Sequence, residues 1–287
     1  MLDKPTIQGV EIGKMWNNDS AHVGQDLALL DGLRAATRAA LRGAGIHTVH
    51  QLAALSVDEL RAFTGIGKVT APAIRAHAQA FVEQRPVWYS PLRTSCCWSG
   101  FMFDLETDGF TGIPWCFGWT DADGSLHTTV VSPHYRTDTV TLLDGSQVML
   151  VPDSDTLWEW FAAMTAASDC PVYHWGYYDI GILRSTAPAA VRSQLESRMH
   201  NLHDTFKRTV KFPRHGTSLK VIAAHLNFAW SSYEEWMAAY LDYQRWLSSG
   251  DMEALSRACS YQQDDVRALG IVWRWLVENA PEREEAG

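Results

Sequence analysis

Two carboxylates two residues apart, Asp104 and Glu106, stand in the apolar run Phe103-Asp104-Leu105-Glu106-Thr107. In an extended strand, residues i and i+2 share a face. Acids on the face of an apolar strand are costly to bury unless a cation stands against them, and a divalent metal is the usual answer. The alternative is a pair of solvated acids at a strand end, since Glu106-Thr-Asp108-Gly109 also reads as a turn. A third acid, Asp179, follows Tyr173-His174-Trp175-Gly176, and Gly176 suits a tight passage from strand to helix. Alone, Asp179 reads as a first-turn acid favoured by the helix dipole. A fourth, Asp265, lies four residues after Tyr261, so the two share a helical face beside the stripe of Val266, Leu269 and Val272. Asp264 is expected to point to solvent.

These side chains need a strand, a strand-to-helix turn and a long helix to carry them, and the pattern supplies all three. Residues 98–106 are aromatic, apolar and strand-like, and 114–120 and 125–132 read as two more strands with Asp121-Ala-Asp123-Gly124 as their turn. Residues 155–167 read as a helix and 171–175 as a short strand. Helices are expected at 177–184, 188–198, 218–228, 233–247 and 251–278. Three strands, then helix, strand and helices, imply an α/β fold with a mixed sheet flanked by helices.

Upstream, the spacing predicts only helices. Residues 25–42 carry Leu27, Leu30, Leu33, Ala36, Ala40 and Leu41 at helical intervals. Two similar units follow. Gly43-Ala44-Gly45-Ile46 precedes a short helix through Val49 and Leu52, and Ser56-Val-Asp-Glu59 fits a capping box. Thr64-Gly65-Ile66-Gly67-Lys68 precedes a helix through Ala71, Ile74, Ala78 and Phe81 that Pro86 ends.

Taken together, the acids resemble the DEDD superfamily of 3′–5′ exonucleases, which have a ribonuclease H-like fold. Phe103–Thr107 resembles the first motif, Asp179 the second and Tyr261–Asp265 the third. Tyrosine four before the aspartate resembles the tyrosine-type subgroup; the position where the histidine type carries His is Ser260. A closer resemblance is to the ribonuclease H-like domain of predicted RecB-family nucleases in bacteria. It rests on Phe-Asp-Leu-Glu-Thr, on Tyr-His-Trp ahead of the second aspartate, on Ser218-Leu219-Lys220 and on Tyr-x-x-Asp-Asp.

The resemblance implies hydrolysis of phosphodiesters with two Mg²⁺ or Mn²⁺ ions, which in such sites stand about 3.5–4 Å apart. Asp104 would bridge both ions, Glu106 and Asp265 would complete the first site, Asp179 would support the second, and Tyr261 would orient the attacking water. The substrate implied is DNA or RNA, with a single-stranded 3′ end preferred. Residues 25–85 resemble tandem helix-hairpin-helix units. There Gly65 and Gly67 would let a phosphate approach the backbone near a helix N-terminus, and Lys68 and Thr70 would add contacts. A side chain at Gly67 is expected to block that approach and to disfavour a positive φ. A helical protein–protein module is the alternative for this part. The expected organisation is a lead-in at 1–24, a nucleic-acid-binding domain at 25–85, a linker at 86–97 and the exonuclease domain at 98–280.

Charge divides along the same lines. The net charge of the 287 residues is −9. Residues 25–95 hold eight basic and five acidic residues, whereas 96–287 hold 14 and 25. A basic module thus precedes an acidic one, whose surplus is either solvated surface or carboxylates gathered for cations. With 46% hydrophobic and 20% charged residues, the composition excludes a mostly disordered chain. The five cysteines (Cys96, Cys97, Cys116, Cys170, Cys259) show no zinc-finger spacing, and no apolar run approaches a membrane span. A reduced, cytoplasmic compartment is the resulting expectation. Trp175 and Tyr177 flank Asp179 and are candidates for base stacking. Lys220 reads as a phosphate-contacting cation or a solvated lysine. His200-x-x-His203 reads as turn histidines rather than a zinc pair, and Trp158, Trp160, Trp273 and Trp275 as core. Alternatives in function are a catalytically idle nucleic-acid-binding or scaffold protein, and a structure-selective endonuclease.

Overall fold

The computed structural model describes residues 26–92, 100–121, 123–136, 138–231 and 235–281. The lead-in at 1–24, the first residues of the strand expected at 98–106, and Cys96 and Cys97 lie outside them. The chain forms two compact units: one runs to Val87 and includes Lys211–His215, and the other comprises the remainder. The two-residue strands β1 (Val87–Trp88) and β9 (Val210–Lys211) lie where the chain crosses from one unit to the other. No helix among the described residues is long and apolar enough to cross a membrane.

The first unit is all-helical: α1 (Ala35–Gly43), α2 (Val49–Ala53), α3 (Val57–Arg61) and α4 (Thr70–Glu83). The single helix expected over 25–42 is broken. Gly32 takes φ +84°, so a three-residue 3₁₀ turn at Leu27–Leu29 and a bend precede α1. The short helices begin at strong caps. Thr48 with Gln51 and Ser56 with Glu59 each form a reciprocal capping box, which satisfies donors that a five-residue helix cannot. Leu27, Leu41, Val49, Leu52, Leu60, Ile74 and Phe81 meet in one apolar core. His77 of α4 ties the outlying parts of the unit together. Its Nδ1 accepts from the Asp31 N–H at 3.1 Å, and its Nε2 lies 2.9 Å from the Arg214 carbonyl.

The second unit is a seven-stranded mixed sheet with helices on both faces. In chain order its elements are β2 (Phe101–Thr107), β3 (Pro114–Thr120), β4 (Leu126–Val131), β5 (Asp138–Thr141), β6 (Gln147–Val151), α5 (Ser154–Thr165), β7 (Val172–His174), α6 (Tyr178–Thr186), α7 (Ala189–Leu195), β8 (Met199–Asn201), α8 (Leu202–Thr209), α9 (Leu219–His225), α10 (Trp236–Ser249) and α11 (Met252–Asn279). The strand order is β5-β6-β4-β3-β2-β7-β8. β2 runs antiparallel to β3 and parallel to β7, so it sits in the middle with both edges paired.

Alternation along β2 sorts its residues. Phe101, Phe103 and Leu105 enter the core with Phe117, Trp119, Leu157, Trp158 and Phe161. Asp104 and Glu106 lie on the opposite face, towards α11. Gly118 is registered against Asp104, and a Cβ there would fall 2.0 Å from the amide of Gln262. The bare glycine therefore admits Gln262, whose Nε2 donates to the Asp104 carbonyl at 3.1 Å. Gln263 donates to Thr128 Oγ1 at 3.1 Å. These two buried amides pin the middle of α11 to the sheet beside the carboxylates.

Candidate metal centre and nucleic-acid contacts

Asp104 and Glu106 from β2 and Asp265 from α11 converge. Each offers an oxygen within 4.8 Å of those of the other two. Glu106 is buried, and Oδ2 of Asp104 is shielded from solvent without a hydrogen-bond partner. Burial, followed by the mutual repulsion of these carboxylates and Asp179, holds Asp104 and Glu106 well above the ordinary carboxylate range. Burial also raises Asp265, to about 6, against the opposing effect of its Trp230 donor and of Lys220. Like charges forced together with an unsatisfied oxygen are the pattern a cation relieves.

Asp179 is positioned by the strand-to-helix turn anticipated from the sequence and lies outside the group of three whose oxygens converge within 4.8 Å. Gly176 takes φ +91° and its N–H donates to Asn201 Oδ1 at 3.1 Å, which starts α6 with Asp179 in its first turn. The carboxylate is buried, with His174 Nδ1 3.5 Å from its Oδ2. Its charge raises both Asp104 and Glu106.

Tyr261 is buried one turn before Asp265, and its hydroxyl lies near enough to that carboxylate to lower its pKa. Burial, then the carboxylates of Asp265, Glu106 and Asp104, holds its hydroxyl far above the ordinary tyrosine range, so it stays protonated. The Lys220 ammonium lies over the Tyr261 ring at 4.9 Å and counters the charge of Glu106 and Asp265. Lys220 is therefore a member of the cluster, not a lysine set apart in solvent.

The expectations for Asp264 and for the two histidines fail here. Asp264 does not point to solvent: it is 3% exposed. Its Oδ2 accepts from the Ser231 N–H at 2.6 Å and from its Oγ at 2.7 Å, while Oδ1 accepts from Arg267 at 2.9 Å. The helical period alone turns Asp264 off the site face, but the segment after α9 folds over that face. Trp175 is half-buried and stacked on His203 at 4.9 Å, so its ring is already engaged. Tyr177 is 64% exposed and donates its hydroxyl to Asp204. His200 and His203 sit on β8 and α8 rather than in turns, and His203 lies 2.7 Å from Thr217 Oγ1.

In the helical unit, Gly65 takes φ +88° and a Cβ there would meet Thr37 Oγ1 at 2.6 Å. Gly67 has no such φ, and nothing lies within 4 Å of the position of its Cβ. The conformational demand thus falls on Gly65, and Gly67 borders open space. Thr70 Oγ1 accepts from the Gly67 N–H at 2.9 Å, and Lys68 and Val69 are exposed.

The residues that sequence reasoning missed are Trp230 and His174. Trp230 Nε1 donates to Asp265 Oδ1 at 2.7 Å. The only signal in the sequence was the aromatic run Phe228-Ala-Trp230, which carries no spacing to the acids.

A family model of the RNase H superfamily matches residues 101–277, and a model of the SAM-like helix-hairpin-helix tandem matches residues 25–80. No curated protein and no solved structure matches significantly. A helix-hairpin-helix tandem and a ribonuclease H-like domain both imply nucleic-acid binding, and domains of the latter kind are usually metal-dependent hydrolytic nucleases. With the match covering more than half of the chain and the acids gathered on its central strand and last helix, the chain belongs to the ribonuclease H superfamily.

Proposed function

We propose that the protein is a divalent-cation-dependent 3′–5′ exonuclease of the tyrosine type. It would use two Mg²⁺ or Mn²⁺ ions on a single-stranded 3′ end of DNA or RNA. The observation that carries this reading is the convergence of Asp104, Glu106 and Asp265 within 4.8 Å, with Tyr261 buried one helical turn before Asp265. The donor set fits a hard cation: it is all carboxylate oxygen, and one buried oxygen of Asp104 lacks a partner. Bound there, divalent cations would neutralise charge on the attacking and leaving oxygens and make water more acidic. Asp104, Glu106 and Asp265 would hold them, and Asp179 would supply the fourth carboxylate. Tyr261, kept protonated, positions the attacking water through its hydroxyl rather than taking its proton. Lys220, beside Tyr261, would meet the phosphate.

A cleft of about 420 Å³ opens beside Glu106, lined by Leu105, Thr107, Gly109, Tyr178 and Trp236. It is large enough for a nucleoside, and it supports removal of one terminal unit at a time. Residues 98–280 would cut, and residues 25–85 would hold the phosphate backbone at Gly65, Gly67, Lys68 and Thr70. A cytoplasmic setting agrees with Cys116 and Cys259, which form no disulfide.

The test uses 3′- and 5′-labelled single- and double-stranded DNA and RNA, with Mg²⁺, Mn²⁺ or chelator. Mononucleotides released from the 3′ end, and only with metal, are expected. Full activity in chelator contradicts the reading. Internal cuts make the protein an endonuclease, and no cleavage of any substrate leaves a binding protein on a nuclease fold.

A further inference from the structure

The proposed centre leaves unexplained why two adjacent aspartates on α11 are both buried, when only Asp265 joins the other acids. Their partners answer this. Asp265 Oδ1 accepts from Trp230 Nε1 at 2.7 Å, and Asp264 Oδ2 accepts from the N–H and Oγ of the next residue, Ser231, at 2.6 and 2.7 Å. The two acids therefore grip consecutive residues of the segment that follows α9. Arg267 closes on the other oxygen of Asp264 at 2.9 Å, which offsets its buried charge. The indole is held from its sides as well. Phe228 packs edge-on against it at 4.8 Å, and the Lys220 ammonium lies 6.0 Å from its ring.

A carboxylate turns readily about its last torsion, and a fixed donor on one oxygen sets where the other points. The indole N–H can donate but accept nothing, so Asp265 Oδ1 can be only its acceptor. Ring and donor are one rigid unit, and Asp264 fixes the backbone beside it.

Resting on the reading of the centre given above, we propose that Trp230 is a positioning residue for Asp265 and that Asp264 is the anchor that keeps Trp230 in place. The acidic pair on α11 thus divides its work, one carboxylate for the cation and one for the segment that orients the first.

The experiment uses the full chain in two measurements. The indole N–H proton signal of Trp230, assigned by its loss in Trp230→Phe, is followed by NMR in Asp264→Asn and Asp265→Asn. Mn²⁺ binding is titrated in the wild type, Trp230→Phe and Asp264→Asn, with Tm recorded for each. A hydrogen-bonded, slowly exchanging indole signal that moves in both aspartate variants is expected. Mn²⁺ binding should weaken about 10- to 100-fold in Trp230→Phe while its Tm holds. Asp264→Asn should lower Mn²⁺ affinity in the same direction, and Trp230→His, which restores a ring N–H, should recover part of the loss. An indole signal indifferent to both aspartates overturns the proposal, as does Mn²⁺ binding unchanged in a folded Trp230→Phe. If the wild type binds no Mn²⁺, the reading of the centre fails, and the indole signal alone decides whether Asp264 and Trp230 fix Asp265.

Discussion

The two units place function in opposite ways. In the sheet unit, the residues assigned to chemistry are buried acids: burial and the neighbouring carboxylates hold Asp104 and Glu106 well above the ordinary range, burial raises Asp265, and Asp104 keeps an unsatisfied oxygen. In the helical unit, three of the residues assigned to contact, Gly67, Lys68 and Thr70, cost the fold nothing. Gly67 borders open space, Lys68 is exposed, and the unit's strain falls on Gly65, whose neighbour is its own core-facing Thr37. Chemistry on phosphate needs concentrated charge, and concentrated charge must be built in and shielded. Holding a phosphate backbone needs reachable N–H groups and cations, which an exposed hairpin offers without preparation. The difference teaches that substitutions at the acids of the sheet unit trade stability against activity, whereas those at Gly67, Lys68 and Thr70 of the helical unit do not.

The largest effect that would sharpen this contrast is at Asp104. Asp104→Asn keeps the shape and removes one charge from the cluster. Cleavage should fall by about 10³-fold or more, while the metal-free protein melts higher, by about 2–4 °C for each kcal/mol of repulsion relieved. Melting curves in chelator, together with turnover, check this. A lower Tm would show that the charge belongs to the fold rather than to a cation.

Tyr261→Phe comes next. The ring and its packing remain, and only the hydroxyl is lost. A turnover about 10²–10⁴-fold lower, at unchanged substrate affinity, is expected from single-turnover kinetics. An unchanged rate would return Tyr261 to a plain core aromatic.

Smaller effects are expected in the helical unit, and there two glycines separate contact from fold. Gly67→Val should leave Tm unchanged and weaken binding to long substrates roughly two- to tenfold, the worth of one hydrogen bond of about 0.5–1.5 kcal/mol. Gly65→Val should in addition lower Tm, through its positive φ and the close Thr37 hydroxyl. Deleting the first 90 residues would be a poorer test, because Lys211–His215 would lose the unit it belongs to, including the His77 partner of Arg214.

The smallest effect is one of pH, and it too belongs to the helical unit. Burial holds His77 below its ordinary value, against the Arg214 carbonyl and Asp31, which raise it, and with Lys211 and His215 adding to the lowering. The folded unit therefore prefers neutral His77, whose Nδ1 must accept from the Asp31 N–H. Stability is complete above about pH 6.5, where the unfolded histidine is neutral as well, and declines as pH falls below it. His77→Gln should flatten that decline between pH 7 and 5. An equal slope in the variant would place the dependence elsewhere.

Much of this was legible in local pattern. The alternation in Phe103–Thr107 placed Asp104 and Glu106 on one face, Gly176 marked the turn that carries Asp179, and the four-residue spacing tied Tyr261 to Asp265. What was not legible depends on residues distant in sequence. Asp264 looks solvent-facing by helical period and is buried only because Ser231, 33 residues earlier, folds onto it. The stacking of Trp175 on His203 of α8 likewise has no trace in the local pattern. The hairpin of β5 and β6 escaped notice because β5 is mostly exposed and so lacks the apolar alternation that marks a strand. The helix expected over 25–42 failed for a local reason, since Gly32 sits where a left-handed turn interrupts the apolar spacing.

The central claim is that the buried carboxylates are arranged for a cation. Its most direct test is the Tm of the wild type and of Asp104→Asn, each in chelator and in saturating Mn²⁺. Binding to the folded state alone should raise the wild-type stability by about 2.7 kcal/mol at a hundredfold excess over Kd. Asp104→Asn should start higher in chelator and gain little from Mn²⁺. A wild type whose Tm is the same in chelator and in Mn²⁺, or an Asp104→Asn variant stabilised by Mn²⁺ as much as the wild type, would contradict the account.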